Sequence, residues 1–171
     1  PSKESKALLY SAILSNTLNF KNKLTTGRDK IMAKWLKEGL DLSDNYVHDM
    51  FEFKSKFDKS LKETIILDFK DFSINSKKIG IAQLELVDVD KFLEENLEEI
   101  KIILSDLSKD RNLDLIFMTC IDLVKGFNSF LVIDDSAKDL LESTLDLKFE
   151  RGLAQSNHLI VRKEIIALFE R

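Results

Sequence analysis

The chain has 171 residues, of which 44% are hydrophobic and 33% are charged, a balance typical of a globular domain with a substantial core. Lys and Arg number 26 against 30 Asp and Glu, and the net charge of −4 disfavours a basic nucleic-acid-binding protein. The single cysteine, Cys120, excludes a disulfide framework and a cysteine-built zinc site, and no apolar run is long enough to span a bilayer.

The N-terminal part of the sequence has the apolar spacing of helices. Thr25 or Thr26 can cap the second of them, and Gly39 is suited to end it. Ser60 can cap the fourth. We predict that the stretch before about residue 42 is a separate unit, joined to the rest near residues 39–43. The four predicted helices cover residues 6–20, 27–38, 45–54 and 61–67.

From residue 70 onward the apolar pattern indicates strands alternating with helices. Residues 113–121 are almost wholly apolar, which is typical of a central strand. The apolar phase of an earlier strand slips between Ile81 and Leu84, so we expect either a bulge or a strand buried on both faces. The order of elements predicts an α/β domain with a mixed sheet flanked by helices. The predicted strands are 70–74, 79–87, 113–121, 130–133, 147–149 and 159–162. One predicted helix begins at Asp88 or Asp90, and two more cover 136–145 and 163–171.

Arg162 and Lys163 are a candidate phosphate-binding pair. They follow the last predicted strand, and an adjacent Arg and Lys at a strand end can hold a phosphate, Arg through its planar fork and Lys as a point charge. A solvated basic pair beside Glu164 is the simpler interpretation of the same residues. The sequence pattern alone leaves both interpretations open.

Other polar positions allow two interpretations in the same way. Lys54 and Lys56 place basic side chains at alternate positions, and a solvated helix end is the simpler explanation. Asn16 lies in a short polar stretch that interrupts an apolar helix, which is typical of a helix end with capping side chains. His48 and His158 have no metal-ligand spacing, so the chain displays no complete metal centre.

A series of short segments, taken in order and at matching spacing, carries a resemblance. The segments are SAILSNTLNFK at residues 11–21 with Thr25, Thr26 and Asp29, LDFKDF at 67–72, KKIGIAQ at 77–83, VD at 87–88, NLDL at 112–115, IDL at 121–123 and VRK at 161–163. The series resembles family II, manganese-dependent inorganic pyrophosphatases of the DHH phosphoesterase superfamily. The resemblance covers nearly the whole chain.

The resemblance implies a hydrolase that splits pyrophosphate, or a related phosphate anhydride, in a cleft between two domains. It implies that residues 1–42 are the end of the N-terminal DHH domain with its linker, and that residues 43–171 are the DHH-associated, substrate-clamping domain. In such enzymes the N-terminal domain holds two Mn²⁺ ions, or Co²⁺ or Mg²⁺, which activate a water for in-line attack on phosphorus. Arg162 and Lys163 match the family's substrate-binding pair. The family's further substrate lysine aligns with Glu52 without a gap, and a small shift places Lys54 or Lys56 there.

The sequence departs from the family pattern at three places, one of which is the further substrate lysine that aligns with Glu52. Asn16 stands where the family has a metal-binding Asp, and an amide lacks the charge with which a carboxylate bridges two metals. Glu164 and Ile165 follow the basic pair where the family has Lys and Gln. The other metal ligands would precede Pro1, so we expect the chain to be part of a longer protein. By itself it is expected neither to bind manganese nor to contain a complete catalytic set.

Two other functions stay open. One is an exopolyphosphatase-like phosphoesterase, which would favour a more basic cleft than Glu164 suggests. The other is a non-catalytic module that binds phosphate or a nucleotide and has a regulatory role. We expect a cytoplasmic protein with a reduced thiol and with no nucleic-acid or membrane partner. The resemblance is compatible with a homodimer of the full-length protein.

Overall fold

The computed structural model describes residues 1–170. In that part of the chain, seven helices and five strands form an α/β fold with a mixed sheet, which confirms the predicted fold class. Over the same residues no helix is both long and apolar enough to cross a membrane. The elements are α1 (Lys3–Asn16), α2 (Gly27–Lys37), α3 (Tyr46–Lys54), α4 (Leu61–Leu67), β1 (Lys70–Ile74), β2 (Lys77–Leu86), α5 (Val89–Arg111), β3 (Leu115–Asp122), β4 (Asn128–Val132), α6 (Asp135–Leu145), β5 (Leu153–Gln155) and α7 (Arg162–Phe169).

The five strands pair in the order β1-β2-β3-β4-β5. β2 and β3 run parallel with Ile79 opposite Leu115, and α5 makes the crossover between them. The other neighbouring pairs are antiparallel. The pairing of β2 with β3 is continuous, without a bulge, through Leu86. The residues of β2 are buried on both faces of the sheet, which explains the slip in its apolar phase.

Helices cover both faces of the sheet. α4 and α5 pack against one face of β2 and β3, and α6 and α7 pack against the other. All eight residues of β3 are buried, as predicted for a central strand. Cys120 lies on the α5 side of β3, where burial raises the pKa of its thiol above the usual range. Its role is therefore that of a small core residue.

The three N-terminal helices lie at the end of the sheet that contains the last residues of β3. A second cluster brings Leu18, which follows α1, against Phe51 of α3 and Ile121 of β3. Helix α3 packs against this cluster and also against the cluster between α1 and α2. Because the packing continues across residue 42, it does not mark a domain boundary there, and the boundary stays a prediction. The buried members of the cluster between α1 and α2 are Tyr10, Leu14, Ala33 and Leu36.

The first helix ends earlier than predicted. It stops at Asn16 rather than near residue 20, because residues 18–20 have φ values of 49, 53 and 64°, in the left-handed region. This turn brings Lys21 onto the loop after β3, where its amine donates to the carbonyl of Val124. Gly126, with φ of 82°, completes that loop, and a Cβ there would lie 2.7 Å from the Lys21 side chain.

Two predicted strands, at residues 147–149 and 159–162, are wrong. The fifth strand is β5 instead, and its three residues are too few for an apolar period to be recognised. Gly152 permits the turn before it, since a Cβ there would lie 2.9 Å from the Val132 carbonyl oxygen. Arg162 consequently opens α7 rather than ending a strand. The predicted end of the last helix at residue 171 lies outside the described residues.

The start of α4 makes the stability of the chain sensitive to acid. Ser60 accepts from the backbone N–H of Glu63, and the hydroxyl and backbone N–H of Ser60 donate to the Glu63 carboxylate at 2.6 and 3.1 Å. These hydrogen bonds hold the pKa of Glu63 below its usual value. Because the carboxyl is depressed in the folded state, its stabilisation is present at neutral pH and is lost as the pH falls through the folded-state pKa.

We therefore expect Glu63→Gln to lower the melting temperature at neutral pH and to differ little from the wild type at about pH 2. Melting curves followed by circular dichroism at both values measure this. Glu99→Gln, at an exposed position within α5, is the matched control and should show no such pH-dependent difference. A difference for Glu63→Gln that is equal at both pH values would contradict the assignment.

Candidate functional site

An open cleft of about 400 Å³ lies between the segment that follows α3, helix α4 and strand β2. Gln83 and several apolar side chains complete its walls. The structure thus places the two lysines predicted from the sequence, at positions 54 and 56, in one cleft. Its charged lining residues are three lysines and three carboxylates, Lys54, Lys56, Lys59, Asp58, Asp68 and Glu85.

Arg162 lies against this cleft through two of its lining residues. Its Nη2 is 2.7 Å from Oδ1 of Asp68, and its Nη1 donates to the Asp68 carbonyl and, at 3.3 Å, to the carbonyl of Ile81. Its backbone N–H donates to Oε1 of Gln83 at 3.0 Å. The Arg162 side chain is only 11% exposed, whereas that of Asp68 is 45% exposed. The guanidinium therefore ties α7 to the end of α4 and to β2 while Asp68 faces the cleft.

The lysines of the cleft differ in their partners. Lys54 Nζ donates to Oε2 of Glu85 at 2.7 Å, and Lys56 Nζ lies 3.9 Å from the carboxylate of Glu52 in the same region of the chain. For Lys59, no carboxylate of residues 1–170 lies within ion-pair distance. Exposed pairs of this kind are weak, so these lysines can exchange their partners for another anion.

Lys163 and Glu164 lie in the first turn of α7. Lys163 is exposed. The carboxylate of Glu164 accepts from the backbone N–H of Val161 at 3.0 Å and lies 3.7 Å from the amine of Lys23. An acidic side chain in the first turn of a helix also interacts favourably with the helix dipole. The acidic residue that replaces a basic one of the family pattern therefore has a local structural role at the start of α7.

Asn16 is an exposed residue at the end of α1 and is not among the residues that line the cleft. In the described range, one group of three potential metal ligands lies close together, His48, Asp49 and Glu52 of α3, and all three are exposed. Exposed acidic groups of this kind are common without a metal ion, and we derive no catalytic step through a metal from this chain.

Sequence reasoning missed other polar residues of the cleft, among them Lys59, Asp68, Gln83 and Glu85. Lys59 continues the basic spacing of Lys54 and Lys56 across a loop. Asp68 and Gln83 both lie within segments that carried the resemblance, at 67–72 and 77–83. The segments therefore held the signal, but nothing in them indicated that both residues would contact Arg162.

Comparisons with known proteins address the family of the chain. The sequence profile described as the DHHA2 domain matches residues 48–171. The manganese-dependent inorganic pyrophosphatase of Methanocaldococcus jannaschii is 34% identical over 168 residues, which cover 96% of this chain and 54% of that protein. That of Bacillus subtilis is 29% identical, with 95% and 52% covered.

A solved structure shows the same fold. The crystal structure of a Methanococcus jannaschii protein assigned to the family II inorganic pyrophosphatases superposes with a TM-score of 0.77 at 31% identity, covering 100% of this chain and 57% of the other. The chain spans about half the length of the curated relatives that it matches. These findings confirm the resemblance found in the sequence. With a profile match that extends over residues 48–171, the chain belongs to the DHHA2 domain family.

Proposed function

We propose that this chain is the substrate-binding part of a manganese-dependent inorganic pyrophosphatase, an enzyme that converts diphosphate and water to two phosphates. The observation that carries the proposal is the cleft in which Lys54 and Lys56 lie beside Asp68, the partner of Arg162. Similarity to proteins named as such pyrophosphatases over 95 to 96% of the chain supports it.

The cations of this region suit a phosphate anhydride. Pyrophosphate carries several negative charges on closely spaced oxygens. Arg162 would donate to these oxygens through its guanidinium, and Lys54 and Lys56 would act as point charges. Lys163, exposed in the first turn of α7, is proposed to add a further charge. Cations held around the leaving phosphate offset the charge that develops on it, so they stabilise the transition state more than the bound substrate.

We propose that the catalytic metal ions are held outside this chain. Manganese, named in the relatives, would activate the attacking water when bound. Residues 1–42 are accordingly proposed as the end of the DHH domain with its linker, and residues 43–171 as the clamping domain. The work of this chain is then to bind and orient the substrate, and we propose that it does so in the cytoplasm.

A second candidate is a phosphate-binding module without catalytic activity. The exposed amide of Asn16 favours it, because this position would supply a carboxylate to the metals in an active enzyme of the family pattern. This candidate predicts that the full-length protein binds pyrophosphate but releases no phosphate with Mn²⁺, and that Asn16→Asp does not restore turnover.

The proposed binding role is tested by Arg162→Lys. Lysine keeps the charge but lacks the planar guanidinium that contacts two backbone carbonyls while Nη2 faces the ligand, so we expect pyrophosphate to bind about tenfold more weakly or worse. The Kd is measured by calorimetry with the 171-residue chain in EDTA, which keeps metal ions out of the comparison. Arg28→Lys, the same substitution at an exposed position of α2, is the matched control and should leave the Kd unchanged.

Equal affinity of wild type and Arg162→Lys would remove Arg162 from the site, and a wild type that binds no pyrophosphate would refute the binding role. In a parallel assay with Mn²⁺ and no chelator, this chain alone is expected to release no phosphate. Measurable release would contradict the proposal that the catalytic metals are held elsewhere.

A further inference from the structure

Two cations proposed to bind phosphate are already paired with carboxylates that line the same cleft. Asp68 lies 2.7 Å from Nη2 of Arg162, and Glu85 lies 2.7 Å from Nζ of Lys54. The two pairs involve four residues from separate parts of the chain. The charged lining contains three lysines and three carboxylates, and Arg162 adds a fourth cation through its pair with Asp68, so the carboxylates offset three of the four positive charges without any bound anion.

The geometry at Arg162 shows what an incoming anion must displace. A guanidinium has five N–H donors, and here both donors of Nη1 face carbonyl oxygens while Nη2 donates to Asp68. Nη1 is therefore occupied by backbone carbonyls, and Nη2 is the group at which an incoming anion can exchange with the Asp68 carboxylate. Since the Arg162 side chain is 11% exposed, an anion can take the Nη2 donor that faces Asp68 only after this carboxylate has left it.

Asp68 is free to make that movement. Its side chain is 45% exposed and borders the cleft, so its carboxylate can turn into water without losing a buried environment. The Asp68 carbonyl stays in contact with Nη1, because it belongs to the backbone at the end of α4. An exchange of anions on Nη2 therefore requires rotation of one side chain and no movement of the backbone.

Lys54 has a milder form of the same competition. An ammonium group has three donors, and one of them is used on Glu85, while the Lys54 side chain is 39% exposed. Glu85 thus lowers the positive charge that Lys54 offers to a ligand without blocking access to it. The expected effect of removing this carboxylate is smaller than the effect at Asp68.

We propose that Asp68 and Glu85 set the anion affinity of the cleft, as place-holding carboxylates that a phosphate group displaces from Arg162 and Lys54. The inference rests on the proposed function, because it concerns the same cations. A ligand that uses both cations must displace Asp68 from Arg162 and compete with Glu85 for Lys54. That requirement favours a highly charged phosphate anhydride over a small anion that reaches one cation only.

The test uses imidodiphosphate, which is not hydrolysed, with the 171-residue chain at low salt in EDTA. Asp68→Asn is expected to tighten the Kd about fivefold and Glu85→Gln about twofold, the range for a partly exposed ion pair. Glu98→Gln removes a carboxylate from an equivalent pair with Lys101 on α5, at 2.8 Å and outside the cleft, and should leave the Kd unchanged.

Double variants show whether each gain passes through its own cation. The gain from Asp68→Asn should disappear in an Arg162→Lys background and persist in a Lys54→Met background. The gain from Glu85→Gln should show the opposite dependence. A general effect of removing negative charge would instead leave both gains intact in both backgrounds, and this outcome would overturn the inference.

The other outcomes separate the two proposals. If Arg162→Lys weakens binding but neither carboxylate variant tightens it, the inference is wrong and the proposed function stands. Weaker binding by Asp68→Asn would mean that Asp68 positions Arg162, which also overturns the inference. If neither the wild type nor any carboxylate variant binds, both proposals fail. Melting curves check folding, and should Asp68→Asn not fold, the Glu85 and Lys54 variants provide the same test alone.

Discussion

Replacing Asn128 with alanine is expected to lower the free energy of unfolding by about 3–5 kcal/mol. The Asn128 side chain is fully buried. Its Nδ2 donates to Oγ1 of Thr119 at 2.8 Å and to the carbonyl of Ile160 at 2.7 Å, and its Oδ1 accepts from the backbone N–H of Ile160 at 2.9 Å. Alanine would leave these buried polar groups without partners, which costs more than the hydrogen bonds contribute net.

Chemical denaturation followed by circular dichroism measures this loss. Asn157→Ala is the matched control, because Asn157 is exposed in the same segment and should change the stability by no more than about 0.5 kcal/mol. Since Asn128 holds the backbone two residues before Arg162, we also expect Asn128→Ala to weaken pyrophosphate binding. A variant as stable as the wild type would show that the segment is held by other contacts.

Asp122→Ala is expected to cost about 3 kcal/mol or more of stability. Asp122 is fully buried at the end of β3. Its Oδ1 accepts from the backbone N–H groups of Val124 and Lys125 at 3.0 and 2.6 Å, and its Oδ2 accepts from that of Val89 at 3.3 Å. One carboxylate thus satisfies donors of the loop after β3 and of the start of α5, and alanine would satisfy none.

The same denaturation experiment measures this effect, with Asp139→Ala at an exposed position of α6 as the control of equal charge change. Asp122→Asn should show an intermediate loss, because its amide oxygen can still accept from a backbone N–H group whereas its amide NH₂ cannot. If Asp122→Ala costs less than Asp122→Asn, these hydrogen bonds do not account for the burial of the carboxylate.

Much of the fold follows from short-range patterns. The apolar run in β3 predicted a central strand, and all of its residues are buried. Thr25 or Thr26 was the predicted cap of α2 and Ser60 that of α4, and the side chains of Thr26 and Ser60 accept the expected backbone hydrogen bonds. Such features depend on residues within a few positions of one another, so a reader of the sequence can recognise them.

The failures have an equally physical cause. The segment before Arg162 looks like a strand because its residues are apolar, but its backbone pairs with the side chain of Asn128 instead of a neighbouring strand. β5 is too short to show a period. The choice between a strand and an extended segment depends on which partner the rest of the fold supplies, and no local pattern contains that information.

The sequence by itself determined the α/β class, the helix starts, the central strand and the series of segments that indicated the family. Only the tertiary structure decided that Arg162 would pair with Asp68, which lies 94 residues earlier, and that Lys54 would pair with Glu85. Periods and caps arise from contacts along a few residues of chain, whereas the partner of a charged side chain is chosen by the packing of distant elements. The cleft and the pairing of its cations with carboxylates therefore depend on how the helices pack against the sheet, which the sequence pattern does not show.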